Sequence, residues 1–431
     1  MSIFGAMYAG VSGLSAETSA LGVVGDNVAN MNTVGFKQSR AVFADVLGAA
    51  VGGHDEAGSG VRMTRTQQIF AQGALVNTGQ ATDVALSGDG FLVVNGTVDG
   101  IKSNFYTRAG QLTLKNDGTL INADGLGVQG YSADPAIPGK FGTTLGTLAL
   151  PSAPIPPKAT SAMKISANLD ATATPPAAAW DPANPAATSN LATSMTVYDS
   201  LGNGHVMDVY FRKTAAGAWD YHVMAKGSEV SGGPATGTTE VAGGALTFDA
   251  NGALTTNTPA GSGTVSFNGA TAAQPLNIDL GTPTSNGGTG LTGLTQYGSP
   301  STVAAQSQDG YTSGSLSGVK IDSDGVVNGV YTNGQTIAAG QLAIAKFQSN
   351  DGLGRAGHNL WVATNDSGDA ALGAVGQGGR AALVSGSLEQ SNVDVTQQFV
   401  ELISHQRAFQ ANSKTITTAD QMLQELMTIK Q

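Results

Sequence analysis

Apolar residues recur every seven positions at both ends of this chain, and that repeat limits its fold more than any other feature. Near the C-terminus Val395, Leu402, Phe409, Ile416 and Leu423 fall seven apart without a break. Near the N-terminus Met7, Leu14, Leu21 and Val28 do the same, with Phe4, Val11, Val24 and Met31 beside them. A strict seven-residue repeat draws one apolar stripe along a helix, and the stripe needs a partner. Two such ends predict a coiled coil between them, with the rest of the chain looped out from that stem. The positions flanking the C-terminal stripe are mostly polar, namely Gln398, His405 and Asn412, with Ala419 and Leu426 joining the seam late. Asp394 and Gln397 read as a capping pair at the helix start, and Lys430 suits its last turn. A helix over 391–431 is a rod roughly 55 Å long.

The N-terminal helix is weak alone. Gly5, Gly10, Gly13, Gly22 and Gly25 each cost about 0.5–1 kcal/mol relative to alanine. It is expected to order only against partners, and Ala6, Ala9, Gly10, Gly13, Ala16 and Ala20 allow those partners to come close. The asparagines of Asn27-Val28-Ala29-Asn30-Met31-Asn32, followed by Gly35, predict its end.

Composition excludes several functions. The net charge is −11 with only 20 Lys and Arg, which argues against nucleic acid or an anionic membrane surface as a partner. There is no cysteine, so disulfides and thiolate metal sites are excluded. The 60 glycines in 431 residues are about twice the usual share of roughly 7%. With abundant Thr, Ser, Asn and Ala they predict a β-rich chain with many tight turns, working outside the cell. The first 25 residues are apolar or small, but the first basic residue is Lys37 and glycines break the run. No cleaved signal peptide and no membrane insertion are expected.

Between the helices the pattern turns to strands. A polar, Gly-containing segment over 45–77 precedes short apolar runs at 84–86, 91–94, 104–107, 112–114 and 119–121. Gly88-Asp89-Gly90, Asn116-Asp117-Gly118 and Ala123-Asp124-Gly125 punctuate them as turns. All 15 prolines then lie between Pro135 and Pro300. The stretches 151–157 and 175–185 read as extended connectors. Strands at 195–198, 207–211, 219–224 and 245–248 form a block of their own, and the first style resumes at 319–321, 326–331, 341–347 and 360–363.

The expected fold is therefore mainly β with terminal α-helices, in a nested multidomain architecture. Residues 1–36 and 391–431 form a helical inner core, and 37–77 and 364–390 connect. Residues 78–147 and 303–363 form a β-rich middle domain, into which a second β domain, 148–302, is inserted.

Several stretches imitate chemistry without its requirements. Gly125-Leu126-Gly127-Val128-Gln129-Gly130 has the spacing of a dinucleotide fingerprint, but the loop Tyr131-Ser132-Ala133-Asp134-Pro135 follows where a helix N-terminus is needed. Asp322-Ser323-Asp324-Gly325 resembles the start of a calcium loop, but no glutamate follows nearby, and a hairpin turn is the better reading. His54, His205, His222, His358 and His405 stand apart without ligand spacing, and His405 sits at or beside the heptad seam. No serine has a nucleophile-elbow setting and no carboxylate pair is suggested. No catalytic residue, cofactor or metal site is expected, and the chain does not read as an enzyme.

Several motifs add a resemblance. Ser12-Gly13-Leu14 through Asp26-Asn27-Val28-Ala29-Asn30 and Thr33-Val34-Gly35-Phe36-Lys37 resemble the N-terminal signature of the bacterial flagellar axial proteins of rod, hook and hook-associated type. Gly386-Ser387-Leu388-Glu389-Gln390-Ser391-Asn392-Val393-Asp394 and Gln406-Arg407-Ala408-Phe409-Gln410-Ala411-Asn412 resemble the C-terminal signature. Val197-Tyr198-Asp199-Ser200-Leu201-Gly202-Asn203, with 207–211, is similar to the outer domain of the hook members. Asn350-Asp351-Gly352-Leu353 and Gly357-His358-Asn359-Leu360-Trp361 resemble their middle domain.

The resemblance implies a structural subunit that polymerises with copies of itself into a helical tube, a flexible joint transmitting torque from motor to filament. It implies an extracellular place in the flagellum and contacts with distal rod, hook cap and hook–filament junction proteins. Head-to-tail contacts that do not close into a ring generate such an open helix. The expected assembly residues are Met7, Leu14, Leu21, Val28, Val395, Leu402, Phe409, Ile416 and Leu423. Two other readings stay open. A flagellar rod subunit should lack the insert over 148–302. A secreted β-rich adhesin or hydrolase would place function in that insert and leave the ends dispensable.

Overall fold

The computed structural model describes residues 3–47, 58–134, 137, 139–151, 153–261 and 263–429. Lys430 and His54 lie outside the described residues. The chain divides into two compact units. One comprises Met1–Ser152, Ser317–Val330 and Thr336–Gln431; the other comprises Ala153–Leu316 and Tyr331–Gln335.

The first unit carries both long helices, α1 (Ile3–Ala29) and α2 (Val395–Ile429). Asp394 caps α2 through its Oδ1, which accepts the N–H groups of Thr396 at 2.8 Å and Gln397 at 3.1 Å. The Gln397 side chain does not complete a capping box, because it donates to Glu401 at 3.1 Å. Among the described residues, no helix is long and apolar enough to cross a membrane.

The strands of this unit form a sheet in which Leu316–Ile321, Val326–Tyr331, Thr336–Lys346, Gly127–Ala133, Phe91–Val98, Ile101–Thr107, Leu360–Val362 and Gly354–Gly357 succeed one another. Leu92 faces Thr107 and Val94 faces Phe105 across the antiparallel hairpin. Phe91, Val93, Tyr106, Ala343, Ala345, Phe347 and Trp361 fill the core on one side. Phe91 is its hub, with ring centroids of Trp361 at 5.5 Å, Phe70 at 5.6 Å and Phe347 at 5.9 Å. Such edge and tilted contacts suit the aromatic quadrupole.

Nesting is visible in the pairing. The chain returning toward α2 pairs with the chain that left α1: Ser385 with Val84 and Glu389 with Leu75, both antiparallel. The segment read as a polar connector contains a hairpin, Ser39–Leu47 with Gly58–Gln68, lying along α1. Its strands carry Arg, Thr and Gln on both faces, which hid them from a search for apolar alternation. Asp322-Ser323-Asp324-Gly325 is a hairpin turn, in which the Gly325 N–H donates to the Asp322 carbonyl at 2.9 Å. Of the fingerprint-like glycines, Gly125 sits in a turn while Gly127 and Gly130 lie in the strand Gly127–Ala133, where a Cβ on Gly130 would approach the Gln341 carbonyl oxygen at 2.3 Å. They serve close sheet packing rather than a phosphate.

The second unit is all β. Leu191–Tyr198, Gly204–Ala215, Ala218–Lys226, Thr238–Phe248 and Leu254–Ala260 form an antiparallel meander. A second sheet orders Asn277–Asp279, Ala162–Asn168 and Thr302–Gln308. Burial alternates along Gly204–Ala215, so Met207, Val209 and Phe211 point inward. They join Trp219, Tyr221, Met163, Ile165 and Leu294 in one core.

Candidate assembly interface

The two helices run antiparallel. Asn27 meets Gln398 and Glu17 meets His405, while the backbone of Gly13 faces Asn412 and that of Gly10 faces Ile416. The residues of α1 buried along this course are small or polar: Gly10, Gly13, Ala16, Ala20, Val24 and Asn27. Close approach explains the glycines. A Cβ on Gly10 would lie 2.9 Å from Ile416 Cγ1, and one on Gly13 would lie 2.6 Å from Asn412 Nδ2.

The seam is also polar. Asn27 is 1% exposed; its Nδ2 donates to Gln398 Oε1 at 2.9 Å and to the Ser39 carbonyl at 2.7 Å, while its Oδ1 accepts the Ser39 N–H at 2.8 Å. His405 Nδ1 sits 2.6 Å from Glu17 Oε2. The positions called flanking in the sequence, Gln398, His405 and Asn412, thus meet α1 directly, at Asn27, Glu17 and Gly13. A cleft of about 260 Å³ opens beside them, lined by Val24, Phe43, Glu401 and His405 among others.

Larger apolar side chains are left outside the seam. Met7, Leu14, Leu21 and Val28 are only half-buried. Next to them Phe4, Tyr8 and Val11 are exposed, and Ser15, Thr18, Gly22, Gly25 and Ala29 continue the same open stripe at spacings of three and four. On α2, Phe399, Val400, Ile403, Phe409, Met422 and Met427 are exposed, Val400 to 63%. The seam face of α2 therefore carries Ile416, which meets Gly10, with Val395, Leu402 and Leu423 in heptad register with it, and Phe409, seven residues from both Leu402 and Ile416, lies at the edge of that face, 38% exposed. Sequence reading missed Glu17 and Asn27 as seam residues. The signal was available: Asn27 and Ala20 are seven apart, as are Ala20 and Gly13, one position before the apolar repeat.

Stripes of this kind are what an assembling helix pair presents, because an apolar face left in water is stabilised by covering it. Residues 7–37 match the family profile described as flagella basal body rod protein, and 384–429 match flagellar basal body rod FlgEFG protein C-terminal. Residues 85–168 match flagellar hook protein FlgE/F/G D1 domain, and 168–311 match flagellar basal body protein FlaE D2 domain. The chain is 35% identical to the flagellar hook protein FlgE of Salmonella typhimurium, over 97% of this chain and 98% of that protein. It is 36% identical to the same-named protein of Escherichia coli over 97% and 98%, and to that of Treponema pallidum over 98% and 99%. Its fold is similar to the crystal structure of Helicobacter pylori flagellar hook protein FlgE2, with a TM-score of 0.50 and 15% identity over 73% of this chain and 100% of that one.

Proposed function

Given that the chain belongs to the flagellar hook protein family and is a non-enzymatic structural hook subunit, we propose that α1 and α2 together are its polymerising element. One observation carries this reading: α1 gives the seam mainly small and polar residues, while Phe4, Tyr8, Val11, Phe399, Val400 and Ile403 are exposed. Neighbouring copies cover these stripes by head-to-tail contacts, which generate an open helical tube. The half-buried Met7, Leu14, Leu21 and Val28 border the open stripe of α1, while Val395, Leu402, Ile416 and Leu423 lie on the seam side of α2. The tube acts outside the cell as a flexible joint that passes torque from motor to filament. Its two ends meet the distal rod, the hook cap and the hook–filament junction proteins. The insert argues against the rod reading, since 168–311 match a domain profile of their own and hook relatives span almost the whole chain.

The test separates the two faces of α2. Val400→Asp places a charge on the open stripe, where Val400 is 63% exposed, and is expected to abolish tube formation on salting out while leaving the subunit's thermal transitions unchanged. Leu402→Asp places it toward α1, and is expected to abolish tubes and also lower the transition of the first unit. Deletion of 391–431 is expected to end self-association. Tubes of Val400→Asp at the wild-type protein concentration, seen by electron microscopy, overturn the proposal.

A further inference from the structure

The two signature-bearing ends of the chain converge on one buried carboxylate that the heptad pattern does not explain. Glu389 has a side chain with no exposed surface. Its Oε1 accepts from Lys37 Nζ at 2.6 Å and from the Gly73 N–H at 2.9 Å, and its Oε2 faces Arg108 Nη1 at 3.3 Å. Its backbone carbonyl accepts the Gly35 N–H at 2.7 Å. The two cations are held in turn. Lys37 Nζ donates to the Ala71 carbonyl and Arg108 Nη2 to the Gly88 carbonyl, both at 2.8 Å, and the Arg108 guanidinium lies over the Phe91 ring.

The partners come from separate parts of the first unit. Gly35 and Lys37 belong to the segment leaving α1, and Glu389 to the one entering α2. Arg108 and Gly88 belong to the β body, beside its aromatic hub. A buried ion cluster is a poor source of net stability, because desolvation offsets much of the attraction. Its directional hydrogen bonds do fix geometry: a carboxylate bound on three sides by donors from three segments has one orientation.

We propose that Glu389, with Lys37 and Arg108, is a positioning centre that sets the direction in which α1 and α2 leave the β body, and thereby the helical symmetry of the assembled hook. This rests on the assembly reading above. A hook lattice repeats one angle at every subunit, so a small error in that angle accumulates along the tube.

The test uses the full-length chain in two variants. Glu389→Gln keeps the shape and an acceptor for Gly73 but removes the charge. The triple variant Lys37→Met, Arg108→Met, Glu389→Leu removes all three charges together. Thermal melting reports folding, and electron microscopy of salted-out tubes reports rotation and rise per subunit. The expected result for both is a folded subunit that forms tubes of altered or mixed symmetry, or that remains folded without forming tubes. Wild-type symmetry in tubes of either variant overturns the proposal. So does loss of folding in both variants, which assigns the cluster to stability. Failure of the wild-type chain itself to form tubes overturns the assembly reading instead, so the two failures are distinguishable.

Discussion

Asn27→Ala tests whether the polar seam is structural. Asn27 is 1% exposed and satisfies three groups: the N–H and the carbonyl of Ser39, and the side-chain oxygen of Gln398. Alanine removes all three partners. A buried polar group left unsatisfied costs about 1–3 kcal/mol. Gln398 can recover part of its loss, since its amide already donates to Glu401 at 3.1 Å. The two Ser39 backbone groups have no such alternative, so the expected loss is about 2–6 kcal/mol. Against a typical domain stability of about 5–15 kcal/mol that is a large fraction. The assay is urea unfolding followed by circular dichroism, with amide exchange read over 3–29 and 395–429. Exchange should rise in both helices and in the strand Ser39–Leu47, because Asn27 ties all three together. Asn30→Ala is the control: Asn30 is half-buried, its Nδ2 bonds only to Asp26 within the same helix end, and its Oδ1 accepts only from Thr33. It should cost under about 1 kcal/mol. A loss below about 1 kcal/mol for Asn27→Ala, with unchanged exchange, would refute the reasoning.

Two more predictions follow from single residues. Gly35 has φ of +70°, and a Cβ there would sit 2.6 Å from the Arg108 carbonyl carbon; Gly35→Ala should therefore cost more than the ~1–2 kcal/mol of the left-handed conformation alone, read as a lower melting temperature of the first unit. Burial by itself would raise the Asp309 pKa, but hydrogen bonds from the Ala162 N–H, from Ser161 and from Lys158 outweigh it and hold the carboxyl well below its usual 3.8. A depressed folded pKa gives stability that is present above the unfolded value and lost as pH falls through the folded one. Asp309→Asn should therefore lower the melting temperature of the second unit at pH 7, and the difference from wild type should shrink as pH drops below about 4; a pH-independent difference would count against it.

The strands were legible where burial imposed alternation. The runs 207–211 and 219–224 read as strands because Met207, Val209, Phe211 and Tyr221 must all enter one core. Asp-Gly pairs marked turns because glycine takes the positive φ, as Gly118 and Gly125 do at +84° and +80°. The hairpin at 39–47 and 58–68 was not legible, since it packs on a helix of small residues and needs no apolar stripe. The Lys37–Arg108–Glu389 cluster was hidden for another reason. Its members lie 71 and 281 residues apart in sequence, and no local pattern announces that three charges share one buried point. Arg108 in particular sits in a segment without any motif.

The heptads were legible as helices, but their faces were not assigned by periodicity alone. A seven-residue apolar stripe says that a helix has a partner; it does not say whether the partner is its own chain. Here the polar repeat Gln398, His405, Asn412 takes the intramolecular side, and Asn27 and Glu17 answer it. That choice has an energetic consequence. α1 gives this seam mainly glycine, alanine and an amide, so it contributes less apolar burial there than Phe4, Tyr8 and Val11 would add on its open face. The stripe carrying Phe4, Tyr8 and Val11 and the one carrying Phe399, Val400 and Ile403 add their burial only when a neighbouring copy arrives. In the assembly proposed above, the helices therefore gain stability when a neighbouring copy arrives, which would couple folding of the ends to growth of the tube. A leucine-rich seam would have paired the ends firmly in the isolated subunit and left less to gain from polymerising. The polar seam is therefore the arrangement that suits a subunit whose final partner is another copy of itself.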